Sequence, residues 1–196
     1  MLSCIRLFLF KAARRRFLCG IALERKDRMS EIKKVAVVMG SDSDFPVVRK
    51  AGEVLKDFGV PFEMRVLSAH RSPAEVAEFA KSARDNGFGV IIAAAGMAAH
   101  LAGAIAGNTT LPVIAVPVKA KALEGVDALL SSVMMPPGVP VATVGIDSAA
   151  NAGHLAVEIL ALGSEELTEK LSAFRKRQNE KNLEADRKMQ ETAKEI

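Results

Sequence analysis

The sequence predicts an α/β protein, a three-layer αβα sandwich built on a parallel, flavodoxin-like sheet with a C-terminal helical extension. Three observations carry that prediction. From Val35 onward, short runs rich in Val and Ile alternate with longer segments whose apolar residues recur at helical spacing, the signature of repeated βα units. Two of those runs, VIIAAA and PVIAVPV, are apolar on both faces, as strands covered by helices on each side must be. The first run, VAVVM, stops at Gly40 and passes into SDSDFP, a polar turn that opens a helix at the carboxyl end of a strand, where open parallel sheets bind ligands.

Strands are expected at residues 34–39, 62–67, 90–94, 113–116 and 141–146. Between the first two, Val47, Val48, Ala51, Val54, Leu55 and Phe58 form one helical stripe, closed by Gly59 as a C-terminal stop. The next helix opens with Ser72-Pro73-Ala74-Glu75, a capping-box pattern with Pro at the first helical position, and ends near Gly87. Further helices are expected at 98–106, 125–133 and 151–162. Right-handed crossovers between parallel strands then give the sandwich. From Ser164 the chain turns polar and highly charged, with Leu167, Leu171 and Phe174 at helical spacing. A terminal helix that docks by its first turns and frays over its last dozen residues is expected there.

Composition sets the domain plan and removes several function classes. The 196 residues, 49% apolar, suffice for one domain with a core. Residues 1–28 hold eight Lys/Arg against two acids, so the net +4 of the whole chain becomes −2 over the remainder. The basic balance is thus a property of the first segment, and with no Tyr or Trp to stack on bases a nucleic-acid partner is not expected. The apolar runs of residues 1–28 are too short to span a bilayer, so no membrane association is expected. That segment is read as a basic extension, disordered or lying upstream of a natural start at Met29, followed by a catalytic domain at 29–163 and the charged helix at 164–196. Both cysteines, Cys4 and Cys19, lie in the extension, which leaves the rest without a disulfide framework or cysteine metal cluster and fits a reducing, cytoplasmic setting.

The chemistry is expected in the turns after the first three strands. They are GSDSD (Gly40 to Asp44), LSAHRSP (with Ser68, His70, Arg71 and Ser72) and AAGMAAHLAG (with Gly96, His100 and Gly103). Each has a plain structural reading: Ser41 to Asp44 can cap a helix, Arg71 can pair with a surface acid, and His100 can be a core histidine. Convergence of hydroxyls, a cation and imidazoles on one sheet edge favours a site. Only three histidines exist, and the third, His154, is read as packing. Ser41 and Ser43 with backbone N–H groups can hold phosphate oxygens, Arg71 supplies positive charge, and Asp44 can accept from ribose hydroxyls, which describes a ribonucleotide monophosphate. A magnesium site at Asp42 and Asp44 stays open but lacks further clustered carboxylates. A histidine beside the bound base would be a natural proton shuttle.

These motifs, followed in order by LPVIAVPV and GVDALLSSVMMPPGVPVATV, resemble the 5-(carboxyamino)imidazole ribonucleotide mutases of purine biosynthesis over roughly residues 34–162. The resemblance implies an isomerase that moves a carboxylate from the exocyclic nitrogen to carbon 4 of the imidazole, with no metal or other cofactor. It implies that Ser41, Ser43, Ser68 and Arg71 surround the phosphate and that Asp44 meets the ribose. His70 would be the acid/base, while His100 and the backbone at Gly96 would bound the pocket for released carbon dioxide. It also implies a homo-octamer and an ATP-dependent carboxyaminoimidazole ribonucleotide synthetase as pathway partner. The chain departs from the usual bacterial pattern at Met97, where that pattern has a second Gly, at Ala102, where it has Pro, and in a shortened GIDSAANAG. Two alternatives stand beside this reading. One is direct carboxylation of aminoimidazole ribonucleotide, against which Arg71 and His100 speak, and the other is a non-catalytic nucleotide-binding module.

Overall fold

The computed structural model describes residues 32–195. The expectations for residues 1–28 therefore lie outside the described residues.

Five strands form one parallel sheet: β1 (Lys34–Met39), β2 (Phe62–Val66), β3 (Phe88–Gly96), β4 (Val113–Val118) and β5 (Ala142–Thr143), in the spatial order β2-β1-β3-β4-β5. Val37 of β1 lies opposite Met64 on one side and Ile92 on the other, Ala93 pairs with Ala115, and Ala115 with Thr143. Six helices complete the fold: α1 (Phe45–Phe58), α2 (Pro73–Ser82), α3 (Leu101–Ala106), α4 (Val126–Val133), α5 (Ala149–Ala161) and α6 (Glu165–Thr192). This is the flavodoxin-like order, whose direction reverses between β1 and β3.

Alternation along the strands sorts the core into two layers. Val35, Val37, Val90, Ile92, Ile114 and Val116 point to a layer filled by Val48, Ala51 and Leu55 of α1 and Ala152, Ala156 and Val157 of α5. Ala36, Val38, Ile91, Ala93, Val113 and Ala115 point the other way, onto Val76 and Phe79 of α2 and Leu101 and Ile105 of α3. At about 1.5–3 kcal/mol for each fully buried Val, Leu, Ile or Phe, these layers dominate the stability of the domain. Helices α1 and α5 approach closely at Gly153, where an added Cβ would lie 3.0 Å from the Ala51 carbonyl oxygen.

The structure departs from the sequence expectations in several places: β3 spans Phe88–Gly96 where 90–94 was expected, and α2 ends at Ser82, short of Gly87. Strand β5 is two residues long instead of six. The amide of Val144 still donates to the Ala115 carbonyl at 3.1 Å. The next bond of a parallel ladder would come back from residue 117, which is a proline without an N–H. The third helix begins at Leu101 because Ala98 to His100 form a separate turn, closed by the His100 amide on the Ala98 carbonyl at 2.9 Å. The capping box at Ser72 is absent from α2: the Ser72 hydroxyl instead accepts from the Ser68 amide at 3.1 Å and donates to the Ser68 carbonyl at 3.2 Å, stapling the loop before the helix. Finally, α6 runs unbroken to Thr192 and passes into a 3-10 turn at Ala193–Glu195 where fraying was expected.

Only the first turns of α6 are held by the domain. Leu167 is fully buried, Leu171 and Phe174 pack beside it, and the Lys170 ammonium donates to the Phe58 carbonyl at 2.9 Å. Beyond Arg175, whose guanidinium pairs with Glu158 of α5 at 2.7 Å, the helix is solvated. Spacing-supported ion pairs such as Glu184–Lys188 at 2.7 Å add a few tenths of a kcal/mol each, by the general worth of such pairs. No helix among the described residues is long and apolar enough to cross a membrane.

Candidate active site

Because the strands are parallel, Gly40, Leu67, Gly96 and Lys119 all emerge at one edge of the sheet. The loops there enclose a cleft of about 550 Å³. Eight of the residues singled out from sequence line it: Ser41, Ser43 and Asp44 from the β1 turn, Ser68, His70 and Arg71 from the β2 turn, Gly96 and His100 from the β3 turn, whereas Asp42, Ser72 and Gly103 do not.

The β1 turn is held by its own side chains. Ser41 caps a 3-10 turn, Asp42–Asp44, accepting from the Ser43 amide at 3.3 Å and the Ser43 hydroxyl at 2.8 Å, while the Asp44 carboxylate accepts from the Ser41 amide at 3.2 Å. The capping box expected at Ser72 is thus made here instead. Burial pushes the Asp44 carboxyl above the usual carboxylate range; the Ser41 amide pulls it down, Asp42 pushes it up, and Arg71 pulls it down. Both structural and functional readings of the turn hold at once, since capping leaves hydroxyls and carboxylate on the cleft wall.

The β2 turn is tied across to β1. The Arg71 guanidinium donates to the Gly40 carbonyl at 2.6 Å, and the Arg71 amide to the Ser68 hydroxyl at 3.2 Å. Among the described residues no carboxylate forms a salt bridge with Arg71. Its positive charge lies on the cleft wall within electrostatic reach of Asp44 but in direct contact with no carboxylate.

The two imidazoles meet above the end of β1. His70 Nε2 lies 2.8 Å from His100 Nδ1, with ring centroids 5.0 Å apart and planes at 78°. At that distance one nitrogen carries the hydrogen and the other accepts it. The contact holds one proton between two exposed rings, an arrangement that can give a proton to a ligand and take one back.

Sequence reasoning missed the β4 turn. Lys119 and Ala120 line the same cleft. The Lys119 ammonium pairs with Glu124, and its amide donates to Asp147 Oδ1 at 2.9 Å. The rule that ligands gather beyond the carboxyl ends of strands applied equally to the fourth strand, and VPVKA carried the signal. Glu124 and Asp147 are left-handed, with φ of 53° and 55°; the only other non-glycine so placed among the described residues is Met97, φ 51°, which also lines the cleft. Backbone strain is thus concentrated around this one site. No group of three or more His, Cys, Asp or Glu side chains able to hold a metal occurs among the described residues.

The fold is thus that of a flavodoxin-like α/β protein whose switch-point cleft gathers serine hydroxyls, an arginine and a hydrogen-bonded imidazole pair. The sequence model of the family described as AIR carboxylase matches residues 34–181, and the chain belongs to that family. It is 57% identical over 142 residues to the N5-carboxyaminoimidazole ribonucleotide mutase of Pyrococcus abyssi, covering 72% of this chain and 82% of that one. It is 53% identical over 160 residues to the enzyme of the same name from Methanocaldococcus jannaschii, covering 82% and 99%. Among solved structures, Treponema denticola PurE superposes with a TM-score of 0.73 at 29% identity, over 79% of this chain and 97% of that one.

Proposed function

We propose that this chain is an isomerase of purine biosynthesis that converts N5-carboxyaminoimidazole ribonucleotide to the 4-carboxylate of aminoimidazole ribonucleotide. The observation that carries the mechanism is the 2.8 Å contact between His70 and His100 at the cleft that Arg71 and the serines also line.

In this reading Ser41, Ser43, Ser68 and Arg71 hold the phosphate, and Asp44 accepts from the ribose hydroxyls. The N–carboxyl bond breaks, its electron pair stays on the exocyclic nitrogen, and that nitrogen takes a proton from His70. Carbon 4 of the electron-rich ring then attacks the freed carbon dioxide, and the proton on carbon 4 returns to the imidazole pair. His70 acts first as acid and then as base, with His100 and the backbone at Gly96 bounding the space where carbon dioxide waits. The exchange conserves atoms and oxidation state overall, and every proton it moves is carried by the imidazole pair. Holding both fragments in one closed space replaces a bimolecular encounter by an intramolecular one.

The reading extends to organisation. Residues 29–163 form the catalytic domain, 164–196 a helical extension, and 1–28 a basic segment outside the chemistry. Along α4, Val126, Leu130, Val133 and the following Met134 are exposed at helical spacing, an apolar stripe that suits burial by other copies in a homo-octamer. The substrate is a labile carbamate, so an ATP-dependent synthetase must supply it, and both enzymes belong in the cytoplasm.

The test compares product formation from the carbamate nucleotide in bicarbonate-depleted buffer with that from aminoimidazole ribonucleotide in excess bicarbonate. Fast conversion of the carbamate is expected. Conversion of aminoimidazole ribonucleotide alone would overturn the mutase in favour of direct carboxylation.

A further inference from the structure

We infer that Met97 is a retention cap, an apolar shield over the imidazole end of the cleft that keeps released carbon dioxide in and water out. The inference rests on the mutase reading and adds a residue to it.

Its first support is conformational. Met97 is held at φ 51°, a region that costs a residue with a Cβ roughly 1–2 kcal/mol. The cause lies on either side. Strand β3 stays paired to β4 through Gly96, opposite Val118, where an added Cβ would sit 3.1 Å from the Val118 carbonyl oxygen. Three residues after Met97, His100 must already meet His70. The chain has to turn sharply at residue 97, a place for glycine, and it carries a methionine there instead.

The second support is position. Of the large apolar side chains lining the cleft, Leu101 and Val118 are buried at 2% and 6% exposure, whereas Met97 is 63% exposed. It is the one large apolar group on the cleft wall free to move over a ligand, and its three rotatable bonds let it follow the ligand's shape.

The third support is chemical. Between the two half-reactions the transferring group is neutral carbon dioxide, which neither Arg71 nor Lys119 can hold by charge. Only enclosure retains it, and water reaching it would drain it to bicarbonate. An apolar side chain on the wall of the cleft that His100 also lines is what such an intermediate needs.

The full-length protein and its M97G, M97N and M97L variants would convert the carbamate nucleotide in ¹³C-bicarbonate with carbonic anhydrase present, and product mass would be read early in the reaction. Glycine and asparagine tolerate the left-handed backbone, so both variants fold. Largely unlabelled product is expected from the wild type and from M97L. M97G and M97N should raise the labelled fraction by roughly fivefold, the partition change given by about 1 kcal/mol in the escape barrier. Unchanged labelling in M97G and M97N would overturn the cap while leaving the mutase intact. So would M97L labelling as strongly as M97G, or no substrate consumption by either M97G or M97N. Failure of the wild type to convert the carbamate would instead sink the mutase reading itself.

Discussion

The three histidines of this chain occupy two regions that share a residue type and little else. His70 and His100 stand on turns at the carboxyl edge of the sheet, exposed, each the other's hydrogen-bond partner. His154 lies on α5, its ring 4.6 Å from Phe174 and edge-on to Phe58 at 5.7 Å, where it helps seat the first turns of α6. Burial pushes its pKa down, with Glu158, Arg175 and Asp57 as lesser, partly opposing influences. In the first region both rings line the cleft, where a proton can be delivered to a ligand. In the second, burial disfavours the charged form and the ring packs as a flat aromatic against Phe58 and Phe174.

The sharpest way to break this contrast is to remove the imidazole function from each region in turn. His70→Asn should lower turnover by about 10²–10⁴, the usual worth of a positioned acid/base, while substrate still binds. A steady-state assay with a parallel binding titration checks both halves, and unimpaired turnover would take His70 out of the mechanism. Arg71→Ala acts on binding: losing charge-assisted bonds worth about 1.5–3 kcal/mol should weaken substrate affinity by roughly 10- to 100-fold, with a smaller effect on kcat. A variant with normal affinity would remove the phosphate clamp.

Most of the fold was legible because burial writes itself into sequence. VIIAAA and PVIAVPV had to be central strands, and the stripe from Val47 to Phe58 had to be a helix. The cleft-lining residues were legible through their convergence, since each alone has a structural explanation but hydroxyls, a cation and imidazoles gather at one sheet edge. What stayed hidden depended on partners distant in sequence. The early end of β5 follows from Pro117 one strand away, and the turn that delays α3 to Leu101 follows from the need to place His100 against His70. Lys119 stands at a strand end where a ligand-binding turn was to be expected, but its ties to Glu124 and Asp147 could not be read from VPVKA. In the described structure even the capping boxes exchanged places, since the Ser72 hydroxyl has a better partner in the Ser68 backbone than in its own helix.

Returning to the second region, His154→Ala should cost stability and leave the kinetics alone. Two aromatic contacts at about 0.5–1.5 kcal/mol each predict a loss of roughly 1–3 kcal/mol in urea unfolding, with α6 exchanging its amides faster than the sheet. His154→Phe should restore most of it. An alanine variant that changes KM or kcat would show that the two regions communicate.

The smallest effect, and the one that tests the physical basis of the contrast, is the pH dependence that His154 adds. Its folded pKa lies below the ordinary value near 6.5, so in the window just below that value the unfolded chain binds more protons than the folded one. Stability must then rise with pH across the window. His154's contribution is complete above the unfolded pKa and is lost as pH falls through the depressed folded value. Every other titrating group contributes to the raw curve, so the informative quantity is the difference between wild type and His154→Phe, which keeps the aromatic contacts and removes the proton. The wild type should lose more stability than the Phe variant between pH 7.5 and 5.5. Equal losses would mean that Glu158 and Asp57 hold the imidazolium as well as water does, and that His154 is confined to a packing role by its location in the fold, with burial playing no part.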